Sequence, residues 1–177
     1  MKSALLLATC LMAISTTASA GVYLGLGVGT EPGVNDEMAK TAVPVGRSLR
    51  GLGGIRFGNF SIEGALNGFG VVANNYGDQK VYQLSAAAKY NLPLGNNFEA
   101  FGRAGLERTW LNLGDDRYNF SGNGFLVGAG FEYRLDLVIA NASLFVYYTI
   151  HHATLTDTRG QVDETSRIWA LGFTVGI

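Results

Sequence analysis

The sequence predicts an all-β protein, an eight-stranded antiparallel up-and-down transmembrane β-barrel. Three observations carry that expectation. Apolar residues recur at period two along eight stretches, and nowhere with the three-and-four spacing of an amphipathic helix. The connections between the stretches alternate long and short. On the parity opposite the large apolar residues, the stretches collect charges of both signs, which inverts the arrangement of a soluble protein.

The first twenty residues stand apart from the fold. In "MKSALLLATCLMAISTTASA", Lys2 precedes an apolar run from Ala4 to Ile14 and the small residues Ala18-Ser19-Ala20. That order is the one of a secretory signal peptide, with cleavage expected after Ala20. The run is too short to remain as a bilayer-spanning helix. A rival reading takes Leu7-Ala8-Thr9-Cys10 as a lipidation motif, although Thr9 fits poorly before the cysteine. Cys10 is the only cysteine, so the segment 21–177 cannot rely on disulfides. That segment suits one barrel domain. With 13 basic and 14 acidic residues in the whole chain, the charge balance implies no nucleic-acid partner.

The eight stretches follow in order. Val22, Leu24, Leu26 and Val28 define the first outward set, against Tyr23, Gly25, Gly27 and Gly29. Leu49, Gly51, Gly53, Ile55 and Phe57 define the second, against Arg50, Leu52, Gly54 and Arg56. Phe60, Ile62, Gly64 and Leu66 oppose Ser61, Glu63, Ala65 and Asn67. Tyr82, Leu84, Ala86, Ala88 and Tyr90 oppose Gln83, Ser85, Ala87 and Lys89. The fifth sets Phe98, Ala100, Gly102, Ala104 and Leu106 against Glu99, Phe101, Arg103, Gly105 and Glu107. The sixth sets Phe125, Val127, Ala129, Phe131 and Tyr133 against Leu126, Gly128, Gly130 and Glu132. Leu144, Val146, Tyr148 and Ile150 mark the seventh, against Ser143, Phe145, Tyr147 and Thr149. The eighth is "WALGFTVGI" (169–177), whose large residues Trp169, Leu171, Phe173, Val175 and Ile177 share one face. Each stretch has roughly the 9–11 residues a tilted strand needs to cross a membrane.

Long polar connections are expected over residues 31–47, 68–79, 112–123 and 152–166. Short ones are expected at Gly58-Asn59, over 91–96 and over 135–141. A glycine–asparagine pair suits a tight hairpin, and an even-numbered barrel puts all its long loops at one rim. Phe57, Phe60, Tyr90, Phe98 and Tyr133 all take the outward parity beside short turns. Aromatics at one level and facing one way form the girdle of a membrane boundary. Trp110 and Tyr148 are candidates for the opposite ring.

The inward parity collects Arg50, Arg56, Lys89 and Arg103 with Glu63, Glu99, Glu107 and Glu132. Unpaired buried charge costs several kcal/mol, so the balance points to an interior ion-pair network of Arg50, Glu63, Lys89, Arg103, Glu107 and Glu132. Arg56 and Glu99 lie close to short turns and are expected to be hydrated there. An eight-stranded barrel has an interior just wide enough for side chains to fill, so these groups would plug it.

Two segments, "GNGFLVGAGFEYRL" (122–135) and "AAAKYNLPLGNNFEAFGRAGL" (86–106), resemble strands of the small outer-membrane barrels related to the OmpA transmembrane domain and OmpX. The resemblance implies that Glu132 faces the lumen and pairs with a basic residue, with Arg50, Lys89 and Arg103 as the candidates. It implies residence in the bacterial outer membrane, among its lipid and lipopolysaccharide. The displayed loops would then serve adhesion, surface protection or membrane integrity through an extracellular ligand. "WALGFTVGI" resembles the closing strand of such proteins, which implies the barrel-assembly machinery as a partner.

The motifs of catalysis and cofactor binding are weak. "GLGVGTEPG" and "GLGGIRFG" match no nucleotide loop. His151 and His152 are adjacent on a strand end and point opposite ways, so they cannot share one metal ion. No catalytic residue, metal site or cofactor is expected. Three alternatives remain beside the surface-display barrel. One is a small pore. Another is a lipid A-modifying hydrolase, using His152 with Thr154 or His151 with Ser166 as base and hydroxyl. The third, a soluble lipocalin-type barrel, requires an apolar calyx, contrary to the inward charge.

Overall fold

A computed structural model describes residues 20–35, 40, 42–73, 77–112, 119–136, 141–157 and 160–176. The expected leader, Ala20 apart, lies outside the described residues. Eight long strands run β1 Ala20–Gly29, β3 Ala42–Phe57, β4 Phe60–Ala73, β5 Gly77–Gly95, β6 Phe98–Asn112, β7 Asn119–Asp136, β8 Asn141–Asp157 and β9 Gly160–Gly176. A two-residue strand, β2 Gly33–Val34, pairs with β9. Each long strand pairs antiparallel with its neighbours, and β1 also pairs with β9. The sheet therefore closes on itself, which removes the exposed edges that make an open sheet untenable in hydrocarbon.

The closure is staggered. Pairing runs from Leu26 through Gly51, Leu66, Leu84, Arg108, Asn123 and Thr154 to Asp163. Leu26 meets Phe173 on its other side, so the path returns ten residues away (173 less 163). That shear tilts the strands by roughly 40° to the barrel axis. Two tight turns sit at one end. Gly58 takes φ 59° in the turn between Phe57 and Phe60, and Gly95, Asn96 and Asn97 take φ 95°, 51° and 65° before Phe98. Residues 137–140, the third turn at this end, lie outside the described residues.

At the opposite end the strands run further than the sequence suggested. The segments 31–47, 68–79, 112–123 and 152–166, expected as long loops, are occupied largely by the ends of β3 to β9 and by β2. What stays outside the described residues is 36–39, 41, 74–76, 113–118 and 158–159. The physical reason is a second apolar core. Phe69, Val71, Val81 and Leu111 are buried together inside this end of the barrel, with Val34 and Phe120 against them. Here apolar residues face in, as in a soluble protein, so the hairpins stand up as paired strands beyond the membrane level. Residues 151 and 152 accordingly sit inside β8, not at its end.

In the middle of the barrel the parity is inverted. Leu24, Leu26, Leu106 and Leu171 stand on the outer wall at 69%, 60%, 73% and 59% exposure, while Arg50, Glu63, Arg103 and Glu132 are buried inside at 4–5%. Leu52, Ala65, Phe101, Phe145, Tyr147 and Ala170 fill the remaining interior space. Inward glycines make room for these rings. A Cβ on Gly172 would stand 2.4 Å from Phe145 Cζ and 2.3 Å from the carbonyl of Leu26.

Candidate functional site

The lumen holds the densest chemistry of the molecule, and strand alternation places each group there. Glu63 on β4 is the hub of the middle layer. Its Oε1 accepts from Arg50 Nη2 at 3.0 Å and from Arg103 Nη1 at 2.9 Å, and Tyr23 Oη donates to its Oε2 at 3.4 Å. Both guanidinium groups also lie over the Tyr147 ring, at 5.3 and 5.1 Å from its centroid. Two cations on one carboxylate leave positive charge in a closed space, and the ring faces take up part of it.

Below this layer, towards the short turns, Lys89 Nζ donates to Glu132 Oε2. Of the three basic candidates for Glu132, the structure brings Lys89 to it. Lys89 also sits 4.3 Å from the centroid of Phe101. Asn91 Nδ2 donates to Glu99 Oε2 at 2.7 Å and to Glu132 Oε2 at 3.3 Å, which ties the two carboxylates together. Arg56 grips Glu99 with a fork of two 2.8 Å bonds, and Arg134 adds a third at 3.3 Å. The expectation that Glu99 is a hydrated rim charge is corrected here: it is 4% exposed. Fork geometry and a polar neighbour compensate the carboxylate for its lost water. Arg56 keeps 20% of its side chain exposed and Arg134 keeps 40%, so hydration describes the cations of this rim better than the anion. The sequence analysis missed Arg134, although its parity matches that of Glu132.

Above the middle layer Glu107 does not join the arginines. Its Oε2 lies 2.5 Å from His151 Nδ1, and both side chains are buried. His151 was read as one of a pair at a strand end, but longer strands carry it inside the barrel. Glu164, buried at 1%, was missed for the same reason, because it lay in a segment read as loop. Gln83 Nε2 reaches Ser166 Oγ at 3.4 Å and Asn67 Nδ2 reaches Gln83 Oε1 at 3.3 Å, continuing the polar layer.

These positions bear on hydrolytic chemistry. His151 and Ser166 are opposite in the β8–β9 register, and Glu107 stands on the histidine as an acid would. The three are buried at 2%, 0% and 5% exposure between the apolar upper core and the arginine layer. The Ser166 hydroxyl meets Gln83 instead. His152 faces outward, its Nδ1 2.9 Å from Thr165 Oγ1, while Thr154 donates to Asp163 at 2.9 Å. Neither suggested pair is joined by a hydrogen bond between its own members. Among the described residues no group of three His, Cys, Asp or Glu gathers to hold a metal ion.

The outer wall is the second functional surface. Phe57, Phe60 and Tyr90 are successive register partners at the short-turn end. Phe98 and Tyr133 are partners there too, with ring centroids 4.7 Å apart. Phe60, Tyr90 and Phe98 are exposed at 43%, 55% and 51%. Higher up, Tyr148 packs on Trp169 at 5.0 Å and Trp110 pairs with Tyr82. On β7, outward Phe125 and Tyr133 are eight residues apart (133 less 125). At ~3.4 Å per residue and ~40° tilt, that is about 20 Å along the axis. Such a height approaches the ~25 Å apolar band of outer-membrane barrels. No helix among the described residues is long and apolar enough to cross a membrane, and here the strands supply the apolar surface.

Comparisons with known proteins match this architecture. The family model of the outer membrane protein β-barrel domain matches residues 3–176. No curated protein matches the chain. Among solved structures, Neisserial surface protein A is similar at 18% identity and TM-score 0.63, covering 90% of this chain and 99% of that one. The N-terminal β-barrel domain of OprF from Pseudomonas aeruginosa is similar at 12% identity and TM-score 0.54, over 90% and 98%. Ail, the attachment invasion locus protein of Yersinia pestis, solved with the heparin analogue sucrose octasulfate, is similar at 13% identity and TM-score 0.54, over 89% and 99%. At these identities the likeness is one of fold.

Proposed function

Because the chain belongs to the outer membrane protein β-barrel domain family, whose place is the bacterial outer membrane, we propose that it is a closed surface-display barrel. The barrel stands in the membrane as a rigid post, and the tall hairpins at its far end present a surface for adhesion or for protection of the cell. The carrying observation is the change of interior along the axis. A charge-paired, ring-filled lumen sits behind the apolar outer wall, and an apolar plug sits behind the hairpins.

That sequence of layers supports a plugged barrel over a pore. Arg50, Arg103, Glu63 and Tyr147 occupy the middle, and an ion crossing it would have to break pairs that are buried on every side. It also supports display over catalysis, since the histidine, serine and glutamate of the upper lumen are walled in from lipid. The reading extends to the hairpins: their paired strands hold side chains in fixed positions, as a binding surface requires. The attachment function in the name of Ail makes an extracellular ligand a reasonable partner class for the hairpins, although 13% identity transfers no residue.

The experiment has four readouts, and uses the chain expressed with its leader in cells and the purified mature chain in the bilayer. In cells, it should fractionate with the outer membrane and migrate differently in unheated and heated gel samples. In a planar bilayer the folded protein should give no steady conductance. Cells carrying it should bind host surfaces, or resist surface attack, more than cells without it, and should leave the mass of lipid A unchanged. A stable single-channel conductance would replace display with transport, and a lipid A mass shift would replace it with an enzyme.

A further inference from the structure

Of the buried acids among the described residues, Glu164 alone has both side-chain oxygens without a hydrogen-bond partner. It is 1% exposed and lies on the inward face of β9, where the apolar plug of the hairpins begins. Ser166, one inward step below it, pairs in register with Val34, which packs on Phe69, Val71, Val81 and Leu111. The pairing row through Glu164 runs over Ala153 and Gly124 to Glu107. Along that row only a methyl group and a hydrogen line the wall between the two carboxylates. Glu107 Oε1 and Thr109 Oγ1, on the inward face of β6, are also without partners.

The charge around Glu164 does not balance. β6 brings Glu107 and, one layer down, Arg103; β8 brings His151; β3 and β4 bring Arg50 and Glu63 from the middle layer. β5 supplies only the amide of Gln83, and β7 presents Gly122, Gly124 and Leu126. Both arginines are spent on Glu63, and Glu107 rests on the His151 ring. Two buried cations thus stand against the three buried carboxylates Glu63, Glu107 and Glu164. With the histidine neutral, one negative charge is left over. A proton on His151 would serve Glu107, which its ring already meets, and would leave Glu164 bare. A carboxylate buried without a donor is among the costliest of groups, and it is relieved by taking up a proton.

We infer that the barrel closes its hairpin end over one bound proton, carried by Glu164, and that release of this proton loosens the hairpins. In the closed form the carboxylic acid is neutral and sits under the plug as one more uncharged side chain. Ionised, it puts a second negative charge beside Glu107 and beneath the apolar core, and the strain is relieved only by admitting water from the hairpin end. Geometry and charge balance carry this; the proton affinity agrees with them. Burial first, and the charge of Glu107 second, push the Glu164 carboxyl from 4.5 up to about 7. The closed form therefore holds the proton at a pH where the open form has lost it. Closure weakens as pH rises from about 4.5 towards about 7 and changes no further above that. The display surface is firm in acidic surroundings and looser at neutral pH and beyond.

The test uses the mature barrel folded in phosphatidylcholine vesicles and reads hydrogen exchange of the hairpin amides by mass spectrometry between about pH 5 and about pH 9. After correction for the pH dependence of exchange itself, protection in the upper parts of β5, β6 and β9 should fall about tenfold per pH unit up to about pH 7, then level off. Glu164→Gln keeps the shape and has no proton to lose. Its hairpins should be as protected at about pH 9 as those of the parent at about pH 5. Infrared spectra of the parent give a second readout that needs no variant. A buried carboxylic-acid carbonyl band is expected at about pH 6 and should be gone by about pH 9. A flat profile in the parent, or absence of that band, would overturn the inference. So would a slope that survives Glu164→Gln; its loss in His151→Gln would then assign the proton to the histidine. Calcium chloride restoring protection at about pH 9 would also overturn it, by giving the carboxylates a metal ion in place of the proton.

Discussion

Lys89 on β5 and Glu132 on β7 reach past the strand between them to form a hydrogen-bonded ion pair inside the barrel. Their side chains are 8% and 6% exposed. Water therefore screens the pair little, and neither partner can recover hydration if the other is removed.

Glu132→Ala is expected to destabilise the folded barrel by about 3–5 kcal/mol, because it strands a buried ammonium group. The double variant Lys89→Met/Glu132→Leu removes both charges and should lie far closer to the parent. Urea unfolding in vesicles, followed by unheated gel mobility, distinguishes the two. If single and double variants lose the same stability, the pair is not the relevant interaction.

The lipid-facing wall predicts a contrast within one strand. Ala129 lies outward near the middle of the β7 apolar band, and Asn123 lies outward beyond Phe125. Ala129→Arg should cost about 2–4 kcal/mol and Asn123→Arg about 0–1, following the depth dependence of charge on a barrel's outer face. The same unfolding assay reads both. A reversed order would place the hydrocarbon elsewhere.

Barrel closure depends on a missing side chain. At Gly172 a Cβ would collide with Phe145 and with the backbone of Leu26 across the β1–β9 seam, whereas outward Gly102 has nothing within 4 Å. Gly172→Val is expected to lower the yield of folded, heat-modifiable protein and to cost at least about 1–3 kcal/mol. Gly102→Ala should fold like the parent. Equal refolding yields for the two would show that the seam tolerates side chains there.

Beyond the membrane, the hairpins depend on their own core. Phe69→Ala removes a ring buried with Val71, Val81 and Leu111, at a typical cost of about 3–5 kcal/mol. The loss should be local. Protease added to protein-bearing vesicles is expected to cut the hairpins of the variant and leave the strands between the aromatic levels protected. Cleavage throughout would mean that the two cores fold as one.

Much of the candidate site was legible because strand parity is local. Glu63, Arg103 and Lys89 face inward for the same reason that Leu66, Ala104 and Tyr90 face outward: successive residues of a strand point to opposite sides. Pairing was not legible. Lys89 rather than Arg50 or Arg103 meets Glu132 because shear sets which residues of separated strands share a level, and no single strand records the shear. The histidines show a second limit. Alternation alone could not tell that β8 continues through His151 and His152, because just beyond them, at buried Ala153 and Leu155, the inside turns apolar and the pattern changes its meaning.

The sequence by itself determined the fold class, the strand order, the turns at one end and the facing of each mid-barrel residue. Those follow from period-two chemistry and from glycine and asparagine in tight turns, all within a few residues of chain. The tertiary structure alone decided how high the hairpins stand, which charges pair, and that Glu107 rests on His151 while Arg50 and Arg103 converge on Glu63. Those are distances between strands far apart in sequence, and they exist only once a staggered sheet has closed.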